Sequence, residues 1–179
     1  MLSKTVCRLG AAAAMVVTAA FGVSTASAAD ISVLEKHPGK SLWENAGCMN
    51  CHKWHGMGGS GYGGTPINFR EGTLTQDQLE EVIACGRPGT AMPLHRKDAY
   101  QGYDCYGGLT KEELGEDMPS KGRQMLNGRQ ISYLADWVIK AFQERPEVTK
   151  EDCSLFFGAS KMCTRLQVDQ LMRAGGGGH

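Results

Sequence analysis

Two thiols three positions apart with an imidazole directly behind them, Cys48-Met49-Asn50-Cys51-His52, form the densest reactive cluster of the chain. On one helical turn both sulfurs can bond to the two vinyl groups of a haem, while the histidine lies under the iron and offers it a ring nitrogen. This spacing is the c-type haem attachment pattern. Two other chemistries use a Cys-x-x-Cys pair. A thiol–disulfide redox pair is expected beside a strand–helix–strand pattern, and none is visible. A structural zinc site needs two further ligands close by, and the remaining cysteines are scattered. Haem attachment uses all three residues, with Cys48 and Cys51 as covalent links and His52 as the proximal iron ligand.

An iron held by His52 has a second axial position to fill. Arg87-Pro88-Gly89-Thr90-Ala91-Met92-Pro93 is too rich in turn residues for helix or strand, and such a loop can aim a side chain at a bound ligand. Met92 is therefore the expected second axial ligand. Met57 and His55 lie too near His52 in sequence to cross easily to the opposite face. Met118, Met125 and His95 are further rivals.

The elements that must position these residues follow from caps and periodicity. Pro38 to Gly47 reads as a short helix with proline in its first turn. Leu42, Trp43 and Ala46 share its buried side. Thr75 with Gln78 makes a capping box for a helix carrying Leu79, Val82 and Ile83 and ending at Gly86. Asn127 with Gln130 caps a stronger helix, about Gly128 to Gln143, whose stripe is Ile131, Leu134, Ala135, Val138, Ile139 and Phe142. Thr110 caps a short helix at Lys111 to Gly115 within an otherwise irregular stretch, Leu94 to Leu126. Two small helices, Thr149 to Phe157 and Ser160 to Met172, follow Pro146. Ala29 to Lys36 predicts no definite structure, and Gly175 to His179 reads as a flexible tail. Strand signals are almost absent, so the expected class is all-α, short helices and long loops around one covalent haem. Gly59-Ser60-Gly61-Tyr62-Gly63-Gly64 matches a dinucleotide fingerprint by letters, but no strand precedes it and no helix follows. Glycines there suit close backbone approach to a flat ligand.

The chain has 179 residues with 19 basic and 19 acidic side chains. Lys4 and Arg8, the apolar run Ala11 to Val23, and Ala26-Ser27-Ala28 form a secretory signal with cleavage expected after Ala28. The mature chain then carries a slight acidic excess, with no basic run or stacking platform for nucleic acid and no transmembrane anchor. Of the seven cysteines, Cys7 leaves with the signal. Cys85, Cys105, Cys153 and Cys163 remain beside the haem pair, in an oxidising compartment. The local pairings Cys85–Cys105 and Cys153–Cys163 are expected, the alternative being an unpaired, buried Cys85.

Gly39, Leu42-Trp43 and Gly47 before the Cys-x-x-Cys-His run, Gly64-Thr65-Pro66-Ile67-Asn68-Phe69, Gly89-Thr90-Ala91-Met92-Pro93, and Ile131-Ser132-Tyr133-Leu134-Ala135-Asp136-Trp137 together resemble the class I monohaem cytochrome c family. The likeness covers about residues 37–93 and 127–142. It implies a cytochrome c-like fold with two core helices crossing near Gly39 and Trp43 on one side and Leu134 and Trp137 on the other. It implies His52 and Met92 as axial ligands, and the Pro66 carbonyl as acceptor of the proximal imidazole's hydrogen bond. The expected organisation is a signal at 1–28, a cytochrome c domain at 29–144 with an insertion at 94–126, a helical extension at 145–174, and the tail. In larger cytochromes such additions cover haem or form docking surfaces.

With both axial positions filled, the iron has no site for substrate. The expectation is a periplasmic electron-transfer protein, not an enzyme, passing single electrons through a haem edge near Cys51 and the methionine loop. Its partners would be a dehydrogenase as donor and an oxidase or another cytochrome as acceptor. Two other functions fit: the cytochrome subunit of a periplasmic oxidoreductase such as a quinoprotein dehydrogenase, or a ligand-binding or peroxidatic haem protein. Lys53, Arg87, Arg96 and Lys97 could form a basic rim for an acidic partner. Glu112, Glu113, Glu116 and Asp117 read as an exposed helix face. Leu155, Phe156 and Phe157 are expected to cover the second disulfide.

Overall fold

The computed structural model describes residues 30–59, 64–165, 167, 169 and 170. The expected signal, the middle of the glycine loop, the end of the last expected helix and the tail lie outside the described residues. Helix α1 (Ile31–Lys36) starts on Asp30, whose carboxylate accepts from the Ser32 amide. It gives structure to the segment for which the sequence predicts none. Helix α2 (Pro38–Asn45) carries its proline in the first turn, with His37 Nδ1 accepting from the Gly39 amide. Helix α3 (Cys48–His52) is the cysteine–histidine turn itself. A short 3-10 turn, Phe69–Glu71, precedes α4 (Gln76–Cys85), which opens on the Thr75–Gln78 capping box. Next come β1 (Leu94–Arg96), α5 (Lys111–Leu114), β2 (Lys121–Leu126) and α6 (Gly128–Val138). Helix α7 (Lys150–Phe157) and α8 (Lys161–Arg165) follow.

Helices dominate among the described residues, as the expected class requires, yet the stretch expected to be irregular contains a strand pair. β1 and β2 run parallel, with Leu94 opposite Lys121 and Arg96 opposite Leu126 and an irregularity between. His95 wedges this pair. Its ring packs where a Cβ on Gly122 would overlap it, and Nδ1 lies 2.8 Å from the Gln124 carbonyl oxygen. The long helix also differs from expectation: after Val138 it widens into a π turn, Ile139–Gln143. That turn still buries Ala141 and Phe142 on the core side.

The core is aromatic. Trp43, Trp137 and Phe142 are all but inaccessible, with Trp43–Trp137, Trp43–Phe142 and Trp137–Phe142 centroids 5.6, 5.1 and 5.3 Å apart. Helices α2 and α6 cross at Gly39, where any side chain would overlap Trp137 and sit 2.5 Å from the Tyr133 carbonyl. Only glycine permits so close a crossing. The indole N–H of Trp137 donates to the Leu34 carbonyl at 3.2 Å, tying α1 to the same core.

The C-terminal extension is built into this core. Leu155 of α7 joins the main apolar cluster and Phe156 meets Trp137 edge-on at 6.0 Å. The Cys153–Cys163 disulfide packs on Trp54 together with Phe156. Phe157 stays partly exposed beside Trp54, so the expected cover of the disulfide is shared by Trp54 and Phe156 rather than by all three predicted residues. Asp152 is 2% exposed and faces two arginines. Arg145 Nη2 lies 3.0 Å from its Oδ1 and Arg70 Nη2 3.4 Å from its Oδ2. Arg70 also donates to the carbonyls of His55 and Arg145, and at 2.8 Å to that of Glu147. One buried guanidinium thus joins the loop after α3 to the last segment of the chain.

Candidate functional site

Gly47, at φ +85°, turns the chain from α2 into α3, and Lys53, at φ +64°, ends α3 directly after His52. Cys48 and Cys51 share one face of that turn. Among the described residues they are the unpaired cysteines, while Cys85–Cys105 and Cys153–Cys163 are disulfides, as expected. Loss of water around Cys48 pushes its thiol pKa up to about 12. A thiol held protonated at neutral pH lacks the thiolate that redox exchange needs. Among the described residues no three His, Cys, Asp or Glu side chains group to hold a metal ion by themselves.

His52 is buried between rings, 4.6 Å from Phe69 and 5.8 Å from Trp43 by centroid. Burial drives its pKa down to about 4, against a backbone hydrogen bond with Ile67 that favours protonation; nearby Arg87 depresses it further. The ring is therefore neutral at physiological pH, the form that gives a lone pair to a metal. Its Nδ1 lies outside good hydrogen-bond geometry with any group. The carbonyls of Pro66, expected to orient this ring, and of Ile67 both pack where a Cβ on Gly58 would overlap them. Ile67, one residue on, takes the place beside His52. The influence of Arg87 puts the start of the methionine loop within electrostatic reach of α3.

That loop is ordered by its own backbone. The Arg87 amide donates to the Met92 carbonyl at 3.1 Å, the Met92 amide to Thr90 Oγ1 at 3.2 Å, and Thr90 Oγ1 to the Arg87 carbonyl at 2.8 Å. Met92 is half-buried but belongs to neither apolar cluster, whereas Met49, Met118, Met125 and Met162 all pack into one. Among the described methionines only Met57 shares that freedom. His95 is committed to the strand pair. His55 accepts from the Met57 amide at 3.2 Å through Nδ1 and sits edge-on to Trp54 at 5.3 Å.

The start of the glycine loop, at Gly56 and Gly58, packs on protein. A Cβ on Gly56 would meet the Phe142 ring within 2.6 Å, while none at Gly59 or Gly64 would touch anything. Of the basic rim, Arg96 is engaged by Asp98 at 2.8 Å and stacks 4.0 Å over Tyr103. Arg87 and Lys97 are exposed and Lys53 half-buried; Glu112, Glu113, Glu116 and Asp117 are exposed, as expected. Sequence reasoning missed the Arg70–Asp152–Arg145 cluster. Its partners lie far apart in the chain, and no local pattern marks them. It also read Trp43 as packing alone, although its ring borders His52. Compared with protein-family models, with curated proteins and with solved structures, the chain matches none.

Proposed function

We propose that this chain is an exported carrier of single electrons built around one covalent haem c. The observation that supports this most is the state of α3. Two thiols on one helical face are left unpaired where every other described cysteine is bonded, next to a buried, neutral histidine. These donors fit haem c. Cys48 and Cys51 would hold it covalently, and His52 and Met92 would be its axial ligands. Bound there, the group supplies a ferric–ferrous couple, which thioether ligation biases toward the ferrous form.

The chain's own residues do the rest. Trp43 and Phe69 keep water from His52 and limit its ring to few orientations, so the proximal ligand needs little rearrangement between oxidation states. Met92, free of the apolar clusters, would fill the position that a substrate would need, which favours transfer over bond-making. Arg87, Lys97 and Lys53 present positive charge beside the ligand segments and suit an acidic redox partner, with association weakening as salt rises. The setting is the periplasm, between a dehydrogenase as donor and an oxidase or second cytochrome as acceptor. Among the described residues no helix is long and apolar enough to cross a membrane.

The test is expression with its leader in a host competent for haem attachment. The exported protein comes out red and gives a haemochrome spectrum of thioether-linked haem that survives acid–acetone extraction. Cys48→Ala with Cys51→Ala loses the extraction-resistant colour. A colourless wild-type product refutes the proposal.

A further inference from the structure

The loop that carries Met92 grows out of the C-terminal end of α4, where a helix leaves its last carbonyls without intrahelical partners. Three groups of the inserted segment 94–126 converge there. Cys105 is disulfide-bonded to Cys85, the last residue of α4. Tyr100 Oη donates to the Cys85 carbonyl at 3.0 Å, and Tyr106 Oη donates to the Gly86 carbonyl. Both tyrosines stand in the left-handed region, at φ +60° and +51°. Aromatic residues adopt that conformation at a cost, and it persists only where the surroundings over-determine it. The Tyr106 amide is held in turn by Glu81 Oε1 of α4 at 2.8 Å.

The clamped helix end touches the ligand-bearing backbone directly. A Cβ on Gly86, at φ +69°, would lie 2.7 Å from the Met92 carbonyl oxygen, the Pro93 carbonyl carbon and the Leu94 amide. The far side of the loop is held by the same insertion. The Gly89 amide donates to the Asp117 carbonyl and the Leu94 amide to that of Ser120, both at 2.9 Å. The loop is thus gripped from both ends of one segment.

We infer that Tyr100 and Tyr106 are positioning residues for the sixth iron ligand: their hydroxyls pin the end of α4 so that Met92 stays on the iron and foreign ligands are kept off. This rests on the haem reading above, with Met92 as the axial thioether. Removing either hydroxyl leaves a buried carbonyl unpaired and lets the root of the loop open. The state in which Met92 is off the iron then gains population.

The experiment titrates the ferric, haem-loaded full protein with imidazole and follows loss of the near-infrared methionine–iron band. Each of Tyr100→Phe and Tyr106→Phe binds imidazole roughly fivefold more tightly than wild type, one neutral hydrogen bond's worth, and the double variant more than about tenfold. Thr75→Ala, which weakens α4 at its other end, is the control for helix stability alone and leaves imidazole affinity unchanged. Wild-type affinity in the folded double variant overturns the inference, as does an equal gain in Thr75→Ala. A wild-type protein that carries no haem, or carries it without the methionine band, removes the underlying reading, and the inference with it, before any variant is made.

Discussion

Loss of water acts on both Cys48 and His52, with different consequences for reactivity. It keeps the thiol protonated and the imidazole unprotonated. A protonated thiol resists stray oxidation, and an unprotonated ring is ready for iron. On the haem proposal, the sixth ligand is decided at the same scale. Met92→Ala abolishes the near-infrared methionine band and opens the reduced protein to carbon monoxide, whereas Met118→Ala, which opens a gap in the core, leaves the band in place; a band that survives Met92→Ala refutes the assignment. Asp152 is the other residue on which much rests. Asp152→Ala removes the carboxylate that neutralises Arg70 in a site where Arg70 is 4% exposed. Breaking such a buried pair costs about 3–5 kcal/mol, read as a lowered urea midpoint. A loss below about 1 kcal/mol, the range of surface pairs, contradicts the burial described.

Helix crossing and capping set the geometry at the next scale. Gly39→Ala forces α2 away from α6, because the added methyl would overlap Trp137. Overpacking of this kind costs about 1–3 kcal/mol, and thermal unfolding of the loaded protein measures it; an unchanged midpoint means the helices do not cross there. The caps were legible in the sequence because they are local: Thr75 with Gln78, Thr110 with its short helix, and Asn127 with Gln130 stand where expected. So were the two disulfides, whose loops are short. The β pair was not legible. Leu94-His95-Arg96 is too short to alternate, Lys121 to Leu126 holds no β-branched residue, and parallel partners so far apart leave no local trace. The π turn was hidden for a different reason. Its apolar residues continue the α6 stripe, and one widened turn does not break that pattern. At the site, the identity of Cys48, Cys51 and His52 could be read directly. The approach of the Ile67 backbone to the ring could not, because that contact joins segments well separated in the chain.

For the molecule as a whole, acid is the condition to probe. Burial lowers the pKa of His55 to about 4, helped by Arg70 and Lys53, and lowers that of His95 against its hydrogen bond to the Gln124 carbonyl. A folded pKa below the unfolded value means the unfolded chain binds more protons between the two. Stability is therefore full above the ordinary histidine range and falls as pH drops through about 6.5 toward 4. Urea midpoints of the loaded protein from pH 7.5 down to 4 reveal the decline, and a midpoint flat across that window contradicts it.

Arg70 follows the cysteine–histidine turn closely, but Asp152, the acid that neutralises it, comes near the end of the chain. During synthesis the first therefore emerges well before the second. Until the second arrives, the segment around the two free sulfurs cannot seat without entombing a lone cation. It stays pliant until the last stretch of polypeptide supplies the neutralising acid. A chain ending at Gln143 would react faster at Cys48 and Cys51 with a thiol-labelling reagent than the complete, haem-free chain, in which both thiols are half-buried.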